Sequence, residues 1–464
     1  MSRGLRWCVA LISAGLCVAG VPLKAATPSE SFADAAGASA ATAGDFFAGT
    51  WELVVKRLDN EQDMRLTLEP DAGGYWGTAG PFQVRGHLEG DVLEVRCLAG
   101  GPCARMHLRR KGSSIEGTGE IRSIPVTLRG QRPAERPYSE PRTFDFIPQR
   151  FSGQFTNTLP PVLSVYPGDR VHTKTIDAEG FDDHGQKISA YINPQTGPFY
   201  INNALPGDTL VVHFERIRTN RSTADMYGNR VVPNALQPMD DPARWQPSAG
   251  ATASAESAAS ASSSANANGT WQIENGVARL AQPTERLADF TVATKPMLGC
   301  VGVAPPSGQS LRSVNLGSYG GNLDYNGIHE GATVYLPVFQ KGAMLFVGDG
   351  HALQGDGELT GTGLETSMDV TFSVDLIRGR TLGQPRIEDE EYEMFSGVGG
   401  SLDEALQVAT SAATHWLAET FALSPSETAM VLGTSLHYDI AEIVDPQIHV
   451  VARLRRDTLA RIRH

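Results

Sequence analysis

The stretch Asp369-Val-Thr-Phe-Ser-Val-Asp-Leu376 alternates polar and apolar side chains at every position. Because successive side chains of a β-strand point to opposite faces of a sheet, this pattern predicts a strand with one buried and one exposed face. Upstream, residues 339–347 have the composition of a second strand, which leads into a run of glycines and acids. The region is therefore predicted to be a sheet that carries a polar loop.

The polar loop reads Gly348-Asp-Gly-His-Ala-Leu-Gln-Gly-Asp-Gly-Glu358. In an extended chain Asp349 and His351 share one face, as do Asp356 and Glu358, and the glycines let the chain fold back and bring the two pairs together. Such a group of carboxylates and an imidazole suits a divalent metal ion or general acid–base chemistry. Asp-Gly is also a common turn dipeptide, so a turn without chemical function is the alternative.

The rest of the chain is also rich in short alternating segments. Residues 45–132 contain five apolar–polar runs separated by glycine-containing turns, which predict a small antiparallel β domain, either a sandwich or a barrel. Helical periodicity is clear only near the C-terminus, where Ser401 and Ser424 are predicted helix caps and Gly433 is a predicted helix end. The predicted class is mainly β, or α+β, with late helices.

The N-terminus has the composition of an export signal. Residues 1–25 combine arginines, a short apolar run and small residues at a possible cleavage site, which predicts a signal peptide and a periplasmic or secreted protein. Residues 26–44 read as a linker, residues 133–464 as the main domain, and the Ala/Ser-rich residues 247–270 as a flexible insertion. No membrane partner is expected after signal cleavage, and the net charge of -13 argues against a nucleic-acid partner.

Three cysteines remain beyond the predicted signal peptide. In an oxidising compartment Cys97 and Cys103 are expected to form a disulfide across a Gly-Gly-Pro bend, and the alternative is two free thiols on neighbouring strands. Cys300 lies in an apolar segment and is expected to be a small buried residue.

Several phrases in the second part of the chain resemble the acetamidase/formamidase family, in order over residues 142–464. They are Thr196-Gly-Pro-Phe-Tyr200, Pro206-Gly-Asp-Thr-Leu210, Pro296-Met-Leu-Gly-Cys-Val-Gly-Val-Ala-Pro305, Gly320-Gly-Asn-Leu-Asp324, Leu336-Pro-Val-Phe339, the polar loop and Leu402-Asp-Glu-Ala405. The resemblance implies a β-sandwich with late helices, a homo-oligomer such as a dimer, and hydrolysis of a small linear amide to carboxylate and ammonia.

The resemblance also implies a divalent metal ion, with zinc as the first choice and calcium or magnesium as alternatives. Carried over residue by residue, the expected metal ligands are His351, Asp349, Asp177 and Asp324. The expected catalytic residues are Glu358, Asp356 and Asn322. The sequence departs from the family at Asn202, where an acid is expected, which would alter catalysis if that acid belonged to the site.

The mechanism expected from these residues is attack of a metal-activated water on the amide carbonyl. Glu358 would move the proton to the leaving ammonia, and Asn322 or a backbone amide of Gly320-Gly321 would stabilise the oxyanion. A non-catalytic periplasmic binding or scaffold protein on the same fold is the alternative. A glycosidase that uses Asp356 and Glu358 is a third interpretation, disfavoured because two such neighbours on one strand lie too close together.

Overall fold

The computed structural model describes residues 45–98, 104–228, 230–237 and 269–463. The predicted signal peptide, the whole of the predicted linker, residue Cys103 and most of the predicted insertion lie outside these ranges. Thr270, at the end of that predicted insertion, begins a strand. No helix in the described ranges is long and apolar enough to cross a membrane.

Residues 46–132 fold as a closed barrel in which each strand pairs with the next and the last pairs with the first. Its strands are β1 Gly49–Arg57, β2 Asn60–Asp71, β3 Gly74–Ala79, β4 Phe82–Glu89, β5 Val92–Cys97, β6 Ala104–Lys111, β7 Ser114–Ile121 and β8 Ile124–Gln131. Alternate side chains fill the interior, with Trp51, Leu93 and Met106 fully buried. Cys97, at the end of β5, is disulfide-bonded; the proposed partner lies outside the described residues.

Residues 133–464, called the body below, contain the remaining strands. They are β9 Thr143–Phe146, β10 Gln154–Phe155, β11 Leu163–Val165, β12 Arg170–Lys174, β13 Gln195–Ile201, β14 Thr209–Thr219, β15 Thr223–Asp225, β16 Thr270–Glu274, β17 Val277–Leu280, β18 Thr291–Ala293, β19 Met297–Gly302, β20 Leu311–Arg312, β21 Leu316–Gly317, β22 Gly320–Asn322, β23 Thr333–Pro337, β24 Leu345–His351, β25 Met368–Ile377, β26 Arg386–Glu388, β27 Tyr392–Gly399, β28 His437–Glu442 and β29 Ile448–Arg455. The helices are α1 Leu402–Phe421, α2 Pro425–Ser435 and α3 Arg456–Leu459.

Two large sheets form the sandwich of the body. One has nine strands in the order β28-β29-β27-β26-β23-β14-β25-β12-β9, and the other has six in the order β11-β13-β24-β19-β22-β21. Their inner faces share one apolar core, in which the ring of Phe199 on β13 lies 5.3 Å from that of Phe372 on β25. The predicted strand at 369–376 lies within β25, and the predicted class of a mainly β fold with late helices is confirmed.

The late helices pack on the nine-stranded sheet through small side chains. Ala409 and Ala413 of α1 lie in one apolar cluster with Phe395 on β27. Both predicted caps are present, because the Ser401 and Ser424 side chains accept from backbone amides three residues on. The predicted helix end at Gly433 is wrong, since α2 continues to Ser435.

The barrel and the body belong to one compact unit, Phe46–His464. Arg65 on β2 forms an ion pair with Asp208, which is fully buried, and donates to the carbonyl of Asn203 at 2.7 Å. Lys341 of the body pairs with Glu52 on β1 at 2.8 Å. The barrel therefore contacts the body through β1 and β2.

Candidate active site

The centre of the six-stranded sheet carries the charged residues of the polar loop. β24 lies between β13 and β19, and Met297 of β19 is the cross-strand neighbour of His351. Asp349 is 3% exposed and His351 is 1% exposed. These two side chains thus lie together, as predicted, on a strand in the middle of a sheet.

Other acids converge on the His351 ring from three separate segments. The Nε2 atom lies 3.1 Å from Glu365 Oε1, 3.4 Å from Asp349 Oδ1 and 3.9 Å from Asp324 Oδ1. Two sets of ligand atoms, each within 4.8 Å of one another, share this histidine: one with Asp324 and Asp349, the other with Glu358 and Glu365. Four buried carboxyl groups therefore surround one imidazole.

Gln354 fixes the orientation of the imidazole. Its Nε2 donates to the carbonyl oxygens of Asp324 at 2.6 Å and Ala441 at 3.1 Å, so its Oε1 must face His351. That oxygen lies 2.8 Å from His351 Nδ1 and accepts a hydrogen bond from the N–H group there. The other ring nitrogen, Nε2, therefore faces the carboxylates. Histidines in metal sites are held in the same way, with a second partner on one nitrogen that sets the tautomer.

The concentration of acids shifts the proton affinities of the site. Burial, reinforced by the neighbouring charges of Glu358 and Asp349, raises the pKa of Asp324 well above its usual value. Burial also raises the pKa of Glu358, and that of Glu365 to about 7. Burial alone would lower the pKa of His351, but the charges of Glu365 and Asp349 raise it overall. Four carboxyl groups thus face a single imidazole, and a proton or a cation bound among them relieves their mutual repulsion.

The residues fit a divalent ion. Asp324 Oδ1 and Glu365 Oε2 are buried and make no hydrogen bond with any residue that the structure describes. Gly299 lets Asp324 and Asp349 approach the strand closely, because a Cβ at that position would overlap Asp324 Oδ1 and Asp349 Oδ2. Unpaired buried carboxylate oxygens are costly, and a cation bound among them removes that cost.

A hydrogen-bonded network of neutral side chains holds the acids in position. Asn322 donates from Nδ2 to both Asp324 and Asp445, and its Oδ1 accepts from Asn193 and from the Cys300 thiol, which is 2.6 Å away. Burial keeps the pKa of that thiol well above its usual value, so it donates as a neutral group. Both N–H groups of the Asn322 amide are occupied by carboxylates, so this residue positions acids and has no donor free for a substrate oxyanion.

Three residues singled out in the sequence lie outside this group. Asp356 is exposed, near the amide of Asn326. Asp177 is buried but pairs with Arg221 at 2.8 Å. Asn202 lies beyond the end of β13 away from the site and donates to the Val165 carbonyl. The departure from the family at Asn202 therefore does not touch the cluster, and the exposed Asp356 does not face the buried Glu358.

The main additions to the sequence-derived set are Glu365, Asp445 and Asn193. Asn193 and Asp445 come from segments far along the chain from 348–358, and Glu365 lies just beyond that stretch, so the spacing within the polar loop indicated none of them. A backbone feature marks the site as well, because Asn193, Asp324, Asp349 and Glu358 all have positive φ values, between 40° and 57°. Non-glycine residues with positive φ are uncommon and cluster at functional sites.

Comparison with known proteins supports the resemblance. The model of the Acetamidase/Formamidase family matches residues 307–423. An acetamidase from Mycolicibacterium smegmatis is 37% identical over 97 residues, which are 18% of this chain and 24% of that protein. The match to this curated relative thus spans about a quarter of its length.

Solved structures extend the match along the body. The crystal structure of an acetamidase from Yersinia enterocolitica is 28% identical, with a TM-score of 0.56, and the match covers 70% of this chain and 94% of that one. A predicted acetamidase/formamidase from Thermoanaerobacter tengcongensis is 26% identical, with a TM-score of 0.55 and coverage of 70% and 99%. The resemblance to the acetamidase/formamidase family is therefore confirmed.

Proposed function

We propose that this chain, which carries the acetamidase/formamidase fold over 70% of its length, hydrolyses small linear amides to a carboxylate and ammonia. The observation that supports the proposal most is the buried group of four carboxyls around His351, with oxygen atoms left unpaired. The family resemblance points to the same chemistry. Which short amide is preferred is a question for the assay.

The group is suited to hold a divalent metal through Asp324, Asp349, His351 and Glu365. A bound ion would polarise the amide carbonyl and lower the pKa of a water ligand to about 7. The imidazole fits zinc, whereas the number of carboxylates fits calcium or magnesium equally well. Metal analysis of the purified protein distinguishes these ions.

Glu358 is the residue best placed to move a proton. It is 6% exposed, and one of its carboxylate oxygens lies within 4.8 Å of ligand atoms of His351 and Glu365. Burial raises its pKa, which makes its carboxylate a stronger base than that of an exposed glutamate. As a carboxylate it can take a proton from the attacking water, and the carboxylic acid so formed can deliver that proton to the departing ammonia.

The remaining residues hold the metal-binding group and Glu358 in position. Gln354 holds the tautomer of His351, and Asn322 holds Asp324 and Asp445 in place. Their own contacts are satisfied within the protein, so they act by positioning. The cluster is almost wholly buried, which excludes bulk water and strengthens each electrostatic interaction inside it.

Ammonia release from formamide, acetamide and longer amides by the purified chain tests the proposal. Loss of a general acid–base group slows turnover by roughly 100-fold or more, so Glu358→Gln is expected to lose kcat at little cost in KM. Asp356→Asn is the matched control, because it removes a neighbouring but exposed carboxylate and is expected to keep full activity. Wild-type turnover by Glu358→Gln would contradict the assignment, and a folded protein that releases no ammonia from any amide would favour the scaffold alternative.

Export is proposed on sequence alone. If residues 1–25 act as a signal peptide, the hydrolysis takes place in the periplasm or outside the cell. Fusion of these residues to a reporter that is active only after export tests this, and a reporter that stays inactive contradicts it. The homo-oligomer implied by the family is tested by the mass of the purified protein in solution.

A further inference from the structure

The barrel has no room for a ligand in its interior. Small closed barrels of eight strands either fill their interior with side chains or hold one small ligand there. Here the inward residues are buried and pack on one another, including Trp51, Leu66, Val84, Leu93 and Met106. A binding role of the barrel must therefore use its outer surface.

The outer surface of β4, β5 and the first part of β6 lies across the barrel from Glu52 and Arg65, whereas Lys111 at the end of β6 borders a cavity with Lys341 of the body. The body is held by Glu52 on β1 and Arg65 on β2. In the closed strand order β5 lies opposite β1, so the three strands around it are on the far side of the barrel. This face is free for a partner while the barrel stays docked.

Three arginines lie side by side on that face and are called the arginine row: Arg85 on β4, Arg96 on β5 and Arg105 on β6. Arg85 and Arg96 are direct cross-strand neighbours. Arg96 and Arg105 both approach the same oxygen of Glu94, at 2.6 and 3.6 Å, and are 58% and 59% exposed. Among the described residues, Glu94 is the single acid within 4 Å of any guanidinium of the row.

The row is not explained by the stability of the barrel. Like charges directly opposite each other on paired strands are destabilising. Elsewhere on the barrel, three exposed cations each have an acid of their own within 4 Å: Arg109 with Asp91, Lys111 with Glu116, and Arg129 with Glu61. Three guanidinium groups that share one carboxylate leave an excess of positive charge on this face.

The surroundings of the row favour a lipid surface. Leu98 follows β5 beside the row, donates from its backbone to Gln83, and is 47% exposed. Leu58, 73% exposed, lies in the β1–β2 turn at the same end of the barrel but on the opposite side from the row. Exposed apolar side chains beside cations are typical of proteins that bind the surface of anionic bilayers.

The charge distribution along the chain agrees with this orientation. Residues 46–132 contain 12 Lys and Arg against 11 Asp and Glu, a balance of +1, whereas the whole chain has a balance of -13. An anionic surface would repel the body and attract only this face of the barrel. Arginine also binds phosphate through two parallel hydrogen bonds, which lysine cannot do.

We propose that the arginine row docks the protein on a bilayer surface of anionic phospholipids, with the body held away from the membrane. The sequence predicted no membrane partner because it contains no spanning segment beyond the signal peptide, and surface docking requires none. The barrel thereby places the amide-hydrolysing body near a membrane without entering it. The proposal does not depend on the proposed activity.

Sedimentation of the full chain with vesicles tests the docking. Binding is expected to vesicles of phosphatidylcholine with phosphatidylglycerol, to fail with phosphatidylcholine alone, and to weaken as salt is added. The variant with Arg85→Gln, Arg96→Gln and Arg105→Gln is expected to bind about 100-fold more weakly, since each arginine beside an anionic leaflet strengthens binding by about fivefold. Its thermal unfolding is expected to be unchanged or slightly higher, because a repulsion is removed.

The matched control changes Arg109, Lys111 and Arg129 to Gln, which removes the same charge from cations that have their own acid partners. Equal losses in the two triple variants would show that net charge alone matters and would overturn the proposal. Binding that survives in the row variant and at high salt would place the contact elsewhere, for example in the apolar run of residues 7–21, and would also overturn it. Binding to a soluble polyanion without binding to vesicles would assign the row to a different partner.

Discussion

Gly299→Ala tests the geometry of the site most sharply. Gly299 lies on β19 next to the two aspartates, and an added methyl group would overlap Asp324 Oδ1 and Asp349 Oδ2. Its carbonyl also accepts from the backbone amides of Leu323 and Asp324, so this strand cannot easily retreat. Because nonbonded heavy atoms settle about 3.5 Å apart, the two carboxylates must move by roughly 1 Å.

A displacement of about 1 Å among reacting groups costs on the order of 100-fold in rate. We therefore expect Gly299→Ala to lower kcat/KM for ammonia release by about that factor, and to weaken divalent-ion binding measured against a chelating dye. Gly355→Ala is the matched control, since it makes the same change in the polar loop where no atom lies within 4 Å of the new methyl group. The reasoning is refuted if Gly299→Ala keeps wild-type turnover and ion affinity, or if Gly355→Ala loses as much as Gly299→Ala.

Three further changes probe the support of the site, its acid sensitivity and the docking of the barrel. Gln354→Met removes the partner of His351 and should weaken divalent-ion affinity by about 10- to 100-fold in a competition titration; unchanged affinity would exclude a positioning role. Burial lowers the pKa of His449 from 6.5 to about 4. Its contribution to stability is therefore complete above pH 6.5 and lost as the pH falls through 4, by about 3 kcal/mol. His449→Asn should flatten the free energy of unfolding over this window, and an unaltered pH profile would contradict the assignment. Arg65→Met leaves buried Asp208 without its cation and should cost about 3 kcal/mol in urea unfolding; a loss of a few tenths would show that the barrel is docked by other contacts.

Sequence patterns predicted correctly those features that depend on residues close together in the chain. The strict alternation at 369–376 marks β25 because the strand lies at a surface with one apolar side, and the pattern records both sides. Ser401 and Ser424 were recognisable as caps because a cap and its partner lie three residues apart. Asp349 and His351 were paired correctly because both belong to one strand.

The same local reasoning failed where the chain turns. Asp356 and Glu358 would share a face in an extended chain, but Gly357 and Glu358 have φ values of 81° and 48°, so the alternation does not hold and only Glu358 points inward. Glu365 reaches the site because the chain turns back after Glu358 and forms a bridge with His351. Asp445 reaches it from a segment far along the chain, so no spacing within the polar loop encodes either residue. Gly433 has open space around it and sits inside α2, so its presence alone does not end a helix.

Ammonia release before and after removal of bound metal tests the central claim most directly. The purified chain is treated with a chelator, assayed on formamide and acetamide, and assayed again after one divalent ion at a time is returned. We expect turnover to disappear on chelation and to return when one of these ions is added at a concentration near that of the protein. Turnover that is unaffected by complete metal removal, or no ammonia from any form of a folded protein, would contradict the account of a metal-dependent amide-hydrolysing centre around His351.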